Sequence, residues 1–529
     1  MKFLCYSTSH DSNFTYYDTE EGKVRYFSIE RLHNLKHGEC RDSYYLQYAR
    51  FHFGFDETKD IIIRTLVPDH KGIDSISLLK EDELYHFDKP NWVILDHHYC
   101  HVLSCLCLDK DISKGIAIDG AGNFNRSVEV FENLNNPKLT IFKVPKVYNK
   151  GKSLGGMRIG NLFSFLARTV LKDNFEYRLV NDQIGKLMGL QSYGKLDKNV
   201  YNKCKEIGIA KTKVLKAYFI ELFKDFNVKD RTSNFDLVYT CHQFLVDQIK
   251  LIFEATLPRG EKIAYSGGCA LSTVTNSQLL DLGYNLCICP AAADSGLSLG
   301  CLKFADLWYN LGIDFNNLVY SSEYVEESQG VSEATINFIA EALSKNKIIA
   351  YTEGACEIGP RALGHRSILM NPAIINGKNY INEKVKHREW WRPFGGSTID
   401  TKVIDNYKAS DLDYYMLRNF KIKDEWKEKL NAIVHIDNTC RMQVISNKEE
   451  NIYKIINKFY SITGIPVVLN TSFNIAGKPI ANSKKNIFEA FKEIENLDFL
   501  VYNGDVYIKT VDNLTIKIVP INLTNYKID

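Results

Sequence analysis

The sequence predicts an α/β protein with a duplicated core in its first part and a second α/β unit after it. Three observations carry this. Apolar strand-like runs recur ahead of turns that hold an acidic residue; other apolar runs lead into small-residue loops and helix starts; and the texture turns polar after about residue 312 before a new strand-like run begins. The chain has 529 residues, 45% hydrophobic and 25% charged, ordinary globular material for about two to four domains.

Lys2 to Tyr6 reads as a buried strand that enters the turn Ser7-Thr8-Ser9-His10-Asp11-Ser12 and returns as Phe14 to Tyr17. Trp92 to Leu95 reads as another strand, with Asp96 to Val102 as the helix start behind it. Lys114 to Asp119 repeats the first pattern, followed by Gly120-Ala121-Gly122 and a strand around Val128 to Phe131. Two strand–turn–strand units with an acidic residue in each turn suit a duplicated core of the kind actin-like ATPases have. Lys262 to Ser266 then leads into Gly267-Gly268, and Leu286 to Pro290 into Ala291 to Gly296, each as strand, loop and helix. The polar stretch from Asn316 to Ser332, with Glu323, Glu326 and Glu327, marks a boundary, so we expect one domain over 1–330 and another over 331–529. Lys347 to Thr352 opens the second, and Ile465 to Leu469 is a later strand within it.

Lys and Arg total 66 against 64 Asp and Glu, a net charge of +2, so no global field points to a nucleic-acid or membrane partner. The 13 Cys form no framework and include no CxxC pair, a pattern that disfavours a secreted disulfide scaffold or zinc ribbon and suits a reducing cytosol. No signal peptide and no membrane span are expected, because nowhere do 18 apolar residues run together.

Four constellations could carry chemistry. On a helix, His97 and His101 lie on one face at i,i+4, about 5 to 6 Å apart, close enough to ligate one metal; His98 with His101 at i,i+3 is the competing pair, and histidines satisfied by hydrogen bonds are the plain alternative. Asp119 and Asp294 both follow strand-like runs and could complete the site; imidazole with carboxylate suits iron, manganese or zinc. The turns at Gly120 to Gly122 and at Gly267-Gly268 would let backbone N–H groups reach phosphate oxygens, although Gly pairs more often only make turns. From Gly359 to Arg392, Arg361, Arg366, Lys384, Lys386, Arg388 and Arg392 stand among Pro360, Ala362, Leu363, Trp390, Trp391 and Phe394. Cations interleaved with apolar residues suggest a partly buried clamp for a small polyanion rather than a solvated face. Finally, Thr471, Ser472 and Asn474 after a strand could donate to a phosphate or carbamoyl group, or cap a turn.

Together these motifs resemble the O-carbamoyltransferases, the family of the nodulation-factor, cephem, aminoglycoside and ansamycin carbamoyltransferases. The resemblance covers nearly the whole chain: His10-Asp11-Ser12, Glu30-Arg31 with Lys36-His37, His97 to His101, Asp119 to Gly122, Lys186 to Leu190 with Tyr193-Gly194, Ser266 to Gly268 and Asp294 to Gly296 occur in the family's order. Gly359 to Gly364, Arg388-Glu389 with Arg392-Pro393-Phe394, His435 to Asp437 with Arg441, and Leu469 to Asn474 follow. Departures are His365 in place of Asn, Gly395-Gly396 and Gln191-Ser192 in place of Ala-Pro, and Asn438 in place of Gly.

The resemblance implies an N-terminal actin-like ATPase domain, a duplicated ribonuclease-H-like fold, and a C-terminal YrdC-like α/β domain. It implies that carbamoyl phosphate and ATP, with Mg²⁺, give carbamoyladenylate in the second domain, and that the first transfers the carbamoyl group to a hydroxyl acceptor. Arg361, Arg366, Lys386, Arg388, Arg392, Ser472 and Asn474 would bind carbamoyl phosphate; Gly120, Gly122, Lys186, Gly267 and Gly268 the nucleotide; and His97, His101, Asp119 and Asp294 a transition metal, Fe²⁺ in this assignment. His10 is the candidate base, since a neutral imidazole suits proton abstraction near pH 7, and Lys36 would stabilise charge on the carbonyl oxygen. The acceptor is a natural-product hydroxyl or a hydroxymethylated pyrimidine in DNA. Competing expectations are a threonylcarbamoyladenosine-type tRNA modification enzyme, a HypF-like maturation factor, which would need CxxC zinc fingers, and a nucleotide-binding sensor without turnover.

Overall fold

The computed structural model describes residues 1–8, 10–65, 79–120, 122–145, 148–149, 152–153, 159–171, 180–207, 234–322, 330–512 and 515–528. Ser9, Ala121 and the acidic residues Glu323, Glu326 and Glu327 lie outside the described residues. The chain folds as two compact units, one of Met1–Glu30 with Lys36–Leu318 and one of Arg31–Leu35 with Val319–Asp529. The second unit therefore begins ahead of the boundary expected at residue 330, and it takes in Arg31–Leu35, which no change of composition marks.

The first unit holds two sheets of one design. In the first, Lys2–Ser7 (β1), Asn13–Asp18 (β2), Val24–Ser28 (β3), Ile61–Thr65 (β4), Tyr85–Lys89 (β5) and Trp92–Leu95 (β6) stand in the order β3-β2-β1-β4-β6-β5. In the second, Lys114–Ile118 (β7), Val128–Glu132 (β8), Ile141–Lys143 (β9), Lys262–Ser266 (β10) and Asn285–Cys287 (β11) stand in the order β11-β10-β7-β8-β9. In each, the first three strands form an antiparallel meander, the first pairs in parallel with the fourth, and that with the next parallel strand. Among the described residues the first sheet adds β5, an antiparallel edge strand, and Tyr148–Asn149 pairs with Lys152–Ser153 as a small separate ribbon. This repeated order is the duplicated ribonuclease-H-like core that the sequence predicts. β1 and β7 sit centrally, so Phe3 to Tyr6 and Ile116 to Ile118 are buried throughout, as near-continuous apolar runs in sheets covered on both faces are. β11 ends at Cys287, short of the strand expected up to Pro290.

Equivalent helices follow the last parallel strand of each half: His97–Cys105 (α1) after β6, and Leu297–Tyr309 (α2) after β11. They cross closely at Gly300, where a Cβ would lie 2.0 Å from the Cys100 carbonyl oxygen.

The second unit is a nine-stranded mixed sheet over one apolar core. Its strands are Ile349–Thr352 (β12), Arg366–Met370 (β13), Gly395–Thr398 (β14), Asn419–Lys421 (β15), Thr439–Val444 (β16), Val467–Ser472 (β17), Phe499–Tyr502 (β18), Asp505–Asp512 (β19) and Thr515–Pro520 (β20). They stand in the order β15-β16-β14-β17-β13-β12-β18-β19-β20, with β14/β16 and β12/β18 parallel. Helices Glu333–Ser344, Asn451–Thr463 and Lys484–Glu493 bury their apolar faces in that core. Ser332 and Ser483 cap two of them by accepting from the N–H groups of Thr335 and Asn486. Both units are thus α/β, the class expected.

Candidate functional site

In the first unit, strand ends and helix starts bring four predicted ligands together. Asp96 caps α1 by accepting from the Tyr99 N–H at 3.0 Å, so His97 opens the helix and His101 stands one turn later on the same face. Asp119 directly follows β7, and Asp294 precedes α2. One ligand atom from each of the four lies within 4.8 Å of the others. His97 Nε2 is 3.1 Å from His101 Nε2; Asp119 Oδ2 is 3.3 and 3.2 Å from these two nitrogens; and Asp294 Oδ1 is 3.6 and 3.4 Å from them. Burial pushes the Asp119 carboxyl up, but the His101 and His97 hydrogen bonds outweigh it and hold Asp119 well below the usual carboxylate range. Burial likewise disfavours charge on His101, yet its bonds to Asp119 and Asp294 lift its pKa to about 10. The carboxylates thus favour a proton on His101, which a divalent cation on the same atoms would displace.

His98 is not part of this set. Its ring turns to Glu129, with Nδ1 3.6 Å from Oε1, and burial, with the charge of His97 adding to it, lowers its pKa to about 3.

Neighbouring side chains fix the ligands, and sequence reasoning missed several. Asn13 Nδ2 donates to the Asp294 carbonyl at 2.7 Å, its Oδ1 accepts from the Ser298 N–H at 3.0 Å, and the Tyr26 hydroxyl donates to the Ser295 carbonyl at 2.7 Å. The first meander thus holds the Asp294 turn. Gly267 has φ of 92°, a left-handed backbone suited to Gly, and the next N–H, that of Gly268, donates to Asp119 Oδ1 at 3.1 Å. This N–H was expected to meet a phosphate; it orients a ligand carboxylate instead. Gly120 is half-buried with Asn161 beside it, and Gly122 packs against the His98 ring. Lys186 is half-buried on the helix Val180–Leu190, and Lys36 is half-buried where the chain re-enters the unit.

His10 reaches the ligand set, with Nε2 3.6 Å from Asp294 Oδ2 and Nδ1 3.1 Å from Asp11 Oδ2. Asp11 also binds His37, Oδ1 to Nδ1 at 2.6 Å, and Glu30 accepts from the His37 N–H at 3.3 Å. Burial lowers the His10 pKa, but the charge of Asp294 and the hydrogen bond and charge of Asp11 lift it to about 10. This field favours the charged ring over the neutral imidazole expected of a base; neutralising Asp294 would remove the strongest of the upward pulls.

The second unit gathers arginines. Burial and the neighbouring guanidinium groups of Arg441 and Arg392 hold Arg361 well below the usual arginine range, and Arg388 is lowered in the same way by burial, Arg392 and Arg441. Arg441 is lowered to about 10, chiefly by burial, with Arg392 contributing. Arginine does not give up its proton in a protein, so this crowding is an electrostatic cost that a bound anion relieves. Glu389 Oε2 stands 3.8 Å from Arg392 Nη1. Arg441 on β16 belongs to this cluster, although the sequence-level set of anion binders omits it.

The Arg361 loop is firmly held. Glu357 Oε1, fully buried, accepts from the N–H groups of Leu363, His365 and Arg366 at 2.7, 3.2 and 3.2 Å. Arg31 donates to the Glu357 carbonyl and, at 2.6 Å, to that of Gly359. Gln443 Nε2 donates to the Leu363 carbonyl at 2.8 Å.

Other expected anion binders have different tasks here. The Arg366 guanidinium donates to the carbonyls of Glu353, His365 and Gly354 at 2.7, 2.8 and 2.8 Å, so it ties the backbone rather than facing an anion. Lys386, Ser472 and Asn474 do come together: Lys386 Nζ donates to the Ser472 carbonyl at 2.7 Å and to Asn474 Oδ1 at 2.8 Å, and the Ser472 hydroxyl donates to Asn474 Oδ1 at 2.6 Å. The three satisfy one another.

Residues 70–302 match the profile described as Carbamoyltransferase N-terminus, and 340–509 the one described as Carbamoyltransferase C-terminus. An uncharacterized protein of Methanocaldococcus jannaschii is 26% identical over 452 residues, covering 78% of this chain and 73% of its own. Nodulation protein U of Rhizobium tropici is 32% identical over 231 residues, 42% of this chain and 40% of that one. Component A of the Acidaminococcus fermentans (R)-2-hydroxyglutaryl-CoA dehydratase, a solved structure, aligns with 57% of this chain and 97% of its own at 12% identity, with a TM-score of 0.34. With both family segments matched in order along one chain, the protein belongs to the carbamoyltransferase family and is a carbamoyltransferase.

Proposed function

We propose that the protein is an ATP-dependent O-carbamoyltransferase in which the second unit makes carbamoyladenylate and the first transfers its carbamoyl group to an acceptor hydroxyl. The observation that carries this is the crowding of Arg361, Arg388, Arg392 and Arg441, which suits a substrate pair bearing a phosphate dianion and a triphosphate. Water releases phosphate from carbamoyl phosphate, the carbamate oxygen attacks the α-phosphorus of Mg²⁺-bound ATP, and pyrophosphate leaves toward the arginines. Lys386, Ser472 and Asn474 brace one another and Arg366 braces the 353–354 backbone, so these residues support the site from behind.

In the first unit the residues fit a cation, because two imidazole and two carboxylate donors converge within 4.8 Å. His97, His101, Asp119 and Asp294 would hold a divalent transition ion, Fe²⁺ in this reading, which supplies Lewis acidity toward phosphate oxygens. A cation on Asp294 would remove the strongest upward pull on the His10 pKa, so that His10, oriented by Asp11, could stand neutral and receive the acceptor hydroxyl's proton as its oxygen attacks the carbonyl carbon and AMP departs. Lys36 offsets charge on the carbonyl oxygen, while Gly120, Gly122, Gly267 and Lys186 border the nucleotide.

The test follows pyrophosphate release and carbamoyladenylate by mass spectrometry with ATP, Mg²⁺, a transition metal and carbamoyl phosphate. Release that needs carbamoyl phosphate and is lost in Arg361→Ala is expected. Acceptor screens then compare natural-product hydroxyls with hydroxymethylated pyrimidine DNA. Product with threonine and bicarbonate in place of carbamoyl phosphate would overturn the proposal.

A further inference from the structure

Between Arg388 and Arg392 the chain presents Trp390, 52% exposed although it lies in a rigidly held segment. Buried Asn382 fixes that segment: its Nδ2 donates to the carbonyls of Trp390 and Arg392 at 3.4 and 3.1 Å, and its Oδ1 accepts from Arg388 Nε at 2.7 Å. Arg388 in turn lies over the Phe394 ring at 4.1 Å, and Trp391 meets Trp390 edge to face, with centroids 5.8 Å apart at 88°. The backbone around Trp390 is therefore held while its indole stays half exposed, and Arg388 and Arg392 stand two residues away along the chain on either side. A large apolar ring in such a place gains from being covered.

We infer that Trp390 is the stacking face for the purine base of the nucleotide whose phosphates meet the arginine cluster. This rests on the reading of the second unit as the activation site and adds to it the group that recognises a base. Guanidinium groups bind phosphate oxygens wherever they occur, so the cluster by itself does not tell ATP from a bare polyphosphate. Discrimination needs a surface for the heterocycle, and an indole plane in the segment that carries Arg388 and Arg392 supplies one without hydrogen-bond readout. A carbamoyl group is too small to cover an indole, whereas a purine matches it in area and planarity.

The experiment measures the KM for ATP and for carbamoyl phosphate in carbamoyl-phosphate-dependent pyrophosphate release, with inorganic tripolyphosphate as a competitive inhibitor lacking the base. Wild type, Trp390→Ala, Trp390→Phe and Arg361→Ala are compared. Trp390→Ala should raise the KM for ATP about tenfold and leave the carbamoyl phosphate KM and the tripolyphosphate inhibition constant unchanged. Trp390→Phe should restore most of the loss, and tripolyphosphate bound directly to Arg361→Ala, read by calorimetry, should bind more weakly than to wild type. An unchanged ATP KM in Trp390→Ala overturns the inference, as does a parallel loss of tripolyphosphate inhibition, which would give the indole a role in shaping the arginine cluster. Wild-type protein that releases no pyrophosphate removes the activation reading and this inference with it.

Discussion

The Nε2 atoms of His97 and His101 stand 3.1 Å apart and share the oxygens of Asp119 and Asp294. Two imidazole nitrogens so close, with two carboxylates facing both, form a site whose charge balance depends on what lies between them. Without an ion, the His101 pKa is raised from 6.5 to about 10, so its stabilising contribution is full below pH 6.5 and fades as pH rises toward 10. Asp119 is depressed below 3.8, so its contribution is full above that value and is lost on acidification. The ion-free protein should be most stable between these limits. Because an ion displaces the His101 proton, metal affinity should rise with pH, about tenfold per unit, until His101 loses its proton unaided. Titration with Fe²⁺ or Zn²⁺ from pH 6 to 8, read by metal analysis, checks this; a flat profile would count against the assignment. His101→Ala should abolish stoichiometric binding.

Arg361 and Arg366 should fail in different ways. Arg361 stands among like charges, so Arg361→Ala should leave thermal stability unchanged or higher while carbamoyl-phosphate-dependent turnover falls by at least about a hundredfold. Arg366 satisfies three backbone carbonyls. Arg366→Ala should cost about 2 to 4 kcal/mol of unfolding free energy, measured by denaturant titration. Equal stability of the two variants would show that the hydrogen bonds of Arg366 do not hold its loop.

The chemistry of a side chain is legible in sequence before its aim is. β1, β6, β7 and β10 were readable because central strands are nearly continuous apolar runs. The His97/His101 pair was readable from helical spacing, but its rival His98/His101 was equally so, and only Glu129 on the neighbouring strand separates them. Arg366 and Arg361 carry the same group five residues apart; the first meets carbonyls because the 353–354 backbone folds over it, which no local pattern reports. Arg441 figures among the family motifs but not among the anion binders, because it stands far in sequence from the cluster it joins. The departures from the family pattern have local partners: His365 stacks on Tyr320 with centroids 3.6 Å apart, and a Cβ at Gly396 would lie 2.8 Å from Ile433 Cδ1.

Gly300 sets the distance between the helix that carries both histidines and the one that follows Asp294. A Cβ there would overlap the Cys100 carbonyl at 2.0 Å, and with backbone on the other side no rotamer change relieves the clash. Gly300→Ala should cost about 3 kcal/mol or more and, in protein that still folds, weaken metal binding more than the more exposed Gly185→Ala. Wild-type stability and metal content together would show that the helices have room to part.

Glu357 is a buried carboxylate whose partners are the backbone N–H groups of Leu363, His365 and Arg366. Burial pushes its pKa up, but the charge of His365 and these amides prevail and hold it below 4.5. A depressed carboxyl contributes stability that is present above its unfolded value and lost as pH falls through the folded one. Stability of the wild type should therefore drop below about pH 4.5 in part through this group. Glu357→Gln keeps an oxygen for the amides and removes the titration, so it should flatten that part of the profile and retain the Arg361 loop. Glu357→Ala leaves three buried N–H groups without an acceptor and should cost about 3 to 5 kcal/mol. Comparing urea midpoints at pH 4 and pH 7 for the three proteins separates charge from hydrogen bonding; identical pH dependence in wild type and Glu357→Gln would assign the acid sensitivity to other carboxylates.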